Sequence, residues 1–297
     1  MKHLSKLAFL AFLLFGLNAT ATTAQVQTPR ESQRGEVVQV VGDARVAIVY
    51  HRPSVKGREI WGKLVPYGEV WRTGANENTT FETSENIKIN GQDLPAGKYG
   101  LHTIPGKDEW TIIFSKKTDE WGSFTYKPEN DQLRVKARPE TAANSRETML
   151  IDFDQVAPTT ATVVIEWEKL RIPFTVDAGD VNARVLVRLR ENVAKSKVAD
   201  ADTQLKAKMM AANFVLDNKL KNAYPEAMTW IDDSLKTRET FGTLRAKARL
   251  AAEMGSYKDA ALYGDKAITV GNAAKPAVNA EVMATLQKDV ATWKAKQ

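Results

Sequence analysis

Between Arg52 and Arg72 lie five basic side chains, Arg52, Lys56, Arg58, Lys63 and Arg72, opposed only by Glu59 and Glu69. Trp61, Tyr67 and Trp71 are interleaved with them, and Asn76 follows closely. A guanidinium donates paired hydrogen bonds to carboxylate, sulfate or phosphate, and backbone N–H groups in a glycine-rich turn add donors. Gly57, Gly62 and Gly74 supply such turns, and an indole offers a flat wall to a sugar ring. The stretch therefore predicts a basic, aromatic loop that binds an anionic or carbohydrate ligand through Arg52, Lys56, Arg58, Trp71, Arg72 and Asn76, with His102 beside it. The same residue types permit a second reading. Trp71 and Tyr67 then plug the end of a β-sandwich, while Arg52, Arg58 and Arg72 pair with Glu59, Glu69, Glu77 or Glu82 to pin a long loop.

Acid–base chemistry has fewer carriers. The chain holds three histidines, and His3 falls in the leader discussed below. His51 ends a strand pattern beside Arg52, and alternation in "YGLHTIP" puts His102 on the face opposite Leu101. Joined across a sheet, with Glu77 or Glu82, they would make a hydrolytic or metal site. No HExxH helix, phosphate loop or GxSxG elbow accompanies them. The alternative function is thus a hydrolase using His51 or His102 with an acidic partner; no cofactor and no metal are expected. Asp152/Asp154 and Glu166/Glu168 are spaced as the polar face of alternating strands.

The elements that must position these residues divide the chain in two. From Glu36 to Asp177 the period is two, broken by Gly42-Asp43, Asn90-Gly91 and Pro105-Gly106. About ten short strands without an intervening helix predict an antiparallel sandwich or barrel over residues 36–178. After Gly179 the period becomes helical, opening on Asp180 as an N-cap. Helices are expected near 181–195, 203–220, 224–237, 240–254, 257–270 and 277–295. Within them "NAYPEAMTWIDDSL" and "GSYKDAALYGDKAI" echo each other, pairing Tyr224 with Tyr257 and Ala227 with Ala260. This resembles tetratricopeptide repeats, too few for a free solenoid. The fold class is α+β as separate domains, a β-sandwich-like domain followed by helical hairpins over 179–297. Those helices either brace the β domain or serve as a scaffold for a protein partner.

The ends and the charge restrict location and partners. "MKHLSKLAFLAFLLFGLNATATTA" has two early lysines, an 11-residue apolar run from Leu7 to Leu17, and small residues at Ala19, Ala21 and Ala24. That is the pattern of a secretory signal peptide, and the run is short of the ~20 residues of a membrane span. Residues 1–24 are expected to be cleaved after Ala21 or Ala24, leaving a linker over 25–35 and no membrane span. The absence of cysteine removes disulfides and zinc–thiolate sites from a protein expected in a bacterial periplasm or secreted. Residues 25–180 are net −3 and residues 181–297 net +7, so the basic excess belongs to the helical part. Spread along helices without interleaved aromatics, it reads as a solvated face and not as a nucleic-acid footprint.

Three long motifs carry a family resemblance: "RPSVKGREIWGKLVPYGEVWRTGANENTTFE", "GQDLPAGKYGLHTIPGKDEWTIIFS" and the closing "IEWEKLRIPFTV". Over residues 40–177 the chain resembles the bacterial family known as domain of unknown function 2911. The resemblance implies an exported envelope protein with a helical tail and brings no activity or site residues.

Overall fold

The computed structural model describes residues 29–297. The signal peptide expected at 1–24 and the start of the linker lie outside the described residues. Ten strands come first: β1 (Gln33–Val41), β2 (Ala44–Arg52), β3 (Thr79–Thr83), β4 (Ile87–Ile89), β5 (Gln92–Leu94), β6 (Gly97–Ile104), β7 (Trp110–Ser115), β8 (Asp131–Ala137), β9 (Glu140–Asp154) and β10 (Thr160–Asp177). Six helices follow: α1 (Val181–Ser196), α2 (Ala201–Asp217), α3 (Tyr224–Thr237), α4 (Phe241–Glu253), α5 (Tyr257–Ala273) and α6 (Ala280–Lys294).

The strands form two antiparallel sheets, ordered β1-β2-β3-β6-β7-β8 and β5-β4-β10-β9. They do not close into a barrel. Alternation decides what lies between them. Val46, Ile48 and Tyr50 of β2, Phe81 of β3, Leu101 of β6 and Ile112 and Phe114 of β7 all point inward. They meet Ile89, Ile151, Val163, Ile165, Phe174 and Val176 of the smaller sheet in one core. The expected hairpins are present, and Asn90 (φ 46°) with Gly91 (φ 82°) turns β4 into β5 as an Asn-Gly pair should.

Alternation breaks between "ATVVIEWEKL" and "RIPFTVD", as between two short strands, yet the two segments form one strand, β10. Its register against β9 shifts on either side of Glu168, whose φ is +53°. A bulge lets a strand bend without ending, so the first part of β10 pairs β9 and its end pairs β4.

The helical part begins where expected, with the Asp180 carboxylate capping Ala183 N at 2.9 Å. The internal echo falls on α3 and α5, which open on Tyr224 and Tyr257 and bury Ala227 and Ala260 completely. Helix α1 meets the β1–β2 hairpin: Arg184 and Arg188 both bind the carboxylate of Asp43, and Arg188 also reaches Glu85 at 3.0 Å.

Two positions on the larger sheet point away from the core. His102 and Ile113 are register partners on the outer face, and both are completely buried. The 116–130 segment is what covers His102.

Candidate functional site

Residues 53–78 leave β2, fold over the end of the sandwich and return to β6, where Trp71 and Thr103 exchange two backbone hydrogen bonds of 2.8 Å. Trp71 joins Trp61, Trp110 and Trp167 in a cluster with ring centroids 5.1–6.4 Å apart. Its indole N–H donates to Gly74 O at 3.1 Å. Trp71 is thereby spent on packing. Gly74 holds the turn because a Cβ there would stand 2.8 Å from the carbonyl oxygen of His51.

The other residues singled out in the sequence separate into two groups. Arg52 donates through Nε to Met149 O at 2.9 Å, and Arg58 donates to Ser54 O and Val55 O at 2.6 and 3.1 Å. Lys56 pairs with Glu31. These three serve the chain itself, and the two arginines use backbone carbonyls where carboxylate partners were expected. Asn76, at φ 55°, donates to Ser32 O at 3.2 Å and accepts from Gly122 N at 3.3 Å, which ties two loops together.

Arg72 is different. It is half-buried and forms no ion pair among the described residues, and its buried Nε lacks any hydrogen-bond partner. Burial alone lowers its pKa from the ordinary value, which is high enough that the guanidinium stays charged. One of its nitrogens, Nη1, lies 3.5 Å from where a Cβ on Gly122 would stand.

Gly122 belongs to the segment 116–130, which links β7 to β8 across the outer face. The backbones of Asn78 and Glu120 are clamped, with Asn78 N donating to Glu120 O at 2.9 Å and Glu120 N donating to Asn78 Oδ1 at 3.0 Å. Gly100 makes the approach possible, since a Cβ there would stand 2.2 Å from Lys117 O. Beneath this clamp His102 Nε2 faces Glu120 Oε2 at 3.3 Å, and His102 Nδ1 lies 3.2 Å from Ser123 Oγ. Thr125 Oγ1 donates to the other Glu120 oxygen at 2.9 Å. The Tyr126 ring packs 5.3 Å from the imidazole, and its hydroxyl donates to Asp131 at 2.7 Å; burial, helped by that bond, pushes its pKa up to about 12.

Electrostatics set the state of His102. Burial pushes the imidazole below its usual pKa, and Glu120 and Asp131 only partly oppose it. The balance favours the neutral imidazole. Buried polar atoms are normally paired, yet Arg72 Nε, His102 Nε2, Glu120 Oε2 and Asp131 Oδ1 are not, and all four lie in this region.

His51 keeps a carboxylate of its own, Glu77 at 3.5 Å, which Arg30 holds at 2.6 Å. Burial, with Arg30, Arg34 and Arg72, lowers its pKa against the pull of Glu77. The two histidines thus face separate carboxylates. Among the described residues no three acidic or histidine side chains are grouped to hold a metal.

Outside the buried layer is an open cleft of about 540 Å³, lined by Lys117, Asp119, Glu120, Trp121, Lys127 and Asn130 among others. Trp121 is 59% exposed and Phe124 87% exposed, so both indole and phenyl rings stand in water. In the sequence, "KKTDEWGSFTYKPEN" carries no strand alternation and reads only as a connection between strands. Its signal was length: a stretch of this size without strand alternation, carrying three aromatics, is uncommon unless it serves a site.

An open pair of antiparallel sheets, with a polar dyad buried on the outer face under a loop and a helical extension behind, is the class this geometry defines. Residues 32–176, just under half of the chain, match the model of the family described as "Protein of unknown function (DUF2911)", and the match runs across the β part. This meets the resemblance read from the motifs. No curated protein matches the chain.

Proposed function

We propose that the β domain is a binding module for an acidic carbohydrate, seated between the 72–78 and 116–130 loops of an exported, periplasmic or secreted protein. The observation that supports it most is Arg72, the cation of the Arg52–Arg72 stretch that has a buried, unpartnered nitrogen and no carboxylate among the described residues. A charged group left unpaired in this way gains most from an incoming anion. Trp121 and Phe124 supply the exposed rings against which a sugar face packs, the role first assigned to Trp71. The neighbouring cleft offers both ammonium groups, Lys117 and Lys127, and carboxylates, Asp119, Glu120 and Glu129. Sugar hydroxyls donate and accept at once, and a lining of both signs suits them better than a uniformly basic one.

Calorimetric titration of the mature chain with a uronic-acid trisaccharide, its neutral hexose counterpart and inorganic phosphate tests this reading. The trisaccharide acid should bind best. Arg72→Ala should weaken it about 10- to 100-fold, as loss of a charge-assisted pair does. Arg58→Ala, whose guanidinium is spent on the chain's own carbonyls, should leave the affinity unchanged. Unchanged affinity in Arg72→Ala, or phosphate binding as tightly as the trisaccharide, overturns the proposal.

A further inference from the structure

We infer that Ser123, His102 and Glu120 form a proton relay that makes Ser123 a nucleophile toward O-acyl esters. The substrate class, an acylated sugar, rests on the reading above; the relay itself rests on geometry. The hydroxyl and the carboxylate stand at opposite nitrogens of one imidazole, 3.2 Å and 3.3 Å away. Exposure is graded along the relay. The His102 side chain is completely buried, that of Glu120 is 7% exposed, and Ser123 is the member that reaches solvent. A nucleophile has to be reached, whereas its base and the group orienting that base work best away from water.

The carboxylate also selects the tautomer. A lone pair on Nε2 facing Glu120 would be repelled, so the proton sits on Nε2 and the Nδ1 lone pair faces Ser123 Oγ. That is the arrangement a general base requires, with the two ring nitrogens exchanged relative to the chymotrypsin arrangement. Glu120 acts here as a positioning residue, held by Thr125 and by the Asn78 clamp. Arg72, beside Gly122, places a fixed positive charge next to the residue that precedes Ser123. A purely structural histidine would align both nitrogens with partners. Here Nε2 and the facing carboxylate oxygen are close but unaligned, as in many unliganded sites.

The chemistry closes without a co-reactant other than water. Ser123 Oγ bonds to the ester carbonyl carbon as its proton passes to His102 Nδ1. The resulting oxyanion forms beside the Arg72 guanidinium. Its collapse breaks the bond to the sugar oxygen, which leaves with the proton from Nδ1, and the acyl group remains on Ser123. Water then attacks the acyl carbon, giving its proton to Nδ1. Collapse of the second intermediate returns that proton to Ser123 Oγ and releases the carboxylic acid.

The test uses the mature chain with 4-nitrophenyl acetate, which needs no sugar site, and a fluorophosphonate label read by peptide mass spectrometry. The wild type should turn over the ester and carry the label on Ser123. Ser123→Ala should lower turnover at least about 100-fold. It should still fold, read as a cooperative melt, and keep its affinity for the uronic-acid trisaccharide, because it removes a single hydroxyl part-buried against His102 and leaves Arg72 in place. Glu120→Gln should lower turnover about 10- to 100-fold and shift the pH–rate profile, which a merely structural role would not do. Turnover in Ser123→Ala equal to the wild type, or a label found elsewhere, overturns the relay. Loss of trisaccharide binding with the relay intact overturns only the ligand reading.

Discussion

His102 shows how a single residue links burial to pH. In the unfolded chain its imidazole takes up a proton near pH 6.5, as free histidines do. In the folded protein burial lowers that value, so between the two the unfolded state binds more protons. Stability therefore rises with pH across this window and is lost as pH falls below about 6.5. Replacing the ring by a neutral amide removes the effect. The difference in melting temperature between the wild type and His102→Gln should shrink as the pH is lowered from about 7.5 to about 5, while His51 contributes equally to both. A difference that grows on acidification would mean that His102 is charged and paired with Glu120 in the folded state. At this scale the sequence showed that His102 faces away from the core, because alternation with Leu101 requires it. It did not show Glu120 or Ser123, since nothing in their spacing reveals that a connection folds back over the sheet.

The controlling element is the β7–β8 connection and the two segments it rests on. Asn78 and Gly100 lie far from it in sequence, yet each is shaped to accept it. Asn78 clamps the backbone of Glu120, and Gly100 leaves room for Lys117 O. Gly100→Ala would place a methyl group 2.2 Å from that oxygen and 2.6 Å from Asn78 Nδ2. The backbone on both sides would have to part, at a cost of about 1–3 kcal/mol. Urea unfolding should show this loss, and Trp121, already exposed, should report a looser loop through its fluorescence. Wild-type stability in Gly100→Ala would mean that the connection does not rest on β6. The basic and aromatic stretch before Asn76 is instructive in the same way. Its residue types suggested one site, and the fold divides them. Trp61 and Trp71 enter a four-ring cluster, Arg52 and Arg58 bind carbonyls, and the Nε of Arg72 is buried without a partner among the described residues. Composition cannot separate an arginine that grips its own backbone from one that does not, because both look alike until the loop closes.

Taken whole, the molecule is a β part and a helical part joined by α1. Periodicity was enough to separate them, because burial on one face imposes a period of two on a strand and 3.6 on a helix. It failed on β10, where a bulge at Glu168 carries the strand through a stretch that alternation reads as a break. The joint is polar: Arg184 and Arg188 converge on Asp43, and burial, which pushes that carboxyl up, is outweighed by their hydrogen bonds, which hold it below the usual range. Arg188 is nearly half-exposed, so water screens its share and most of the hold comes from Arg184. Among the described residues, the ion pairs of this joint involve Asp43, Glu85, Arg184 and Arg188 and none of the 116–130 loop.

Where a ligand touches the protein decides whether the β domain binds it, and amide and side-chain NMR reads this directly. Adding a uronic-acid trisaccharide to the labelled protein should produce saturable shifts at the Arg72 Nε–H, the Trp121 indole N–H and the backbone of Gly122 to Phe124. The signals of Arg52, Arg58 and helices α1–α6 should stay in place. Shifts centred on Arg52, Lys56 and Arg58, or on the helices, with Arg72 and Trp121 unmoved, would contradict it.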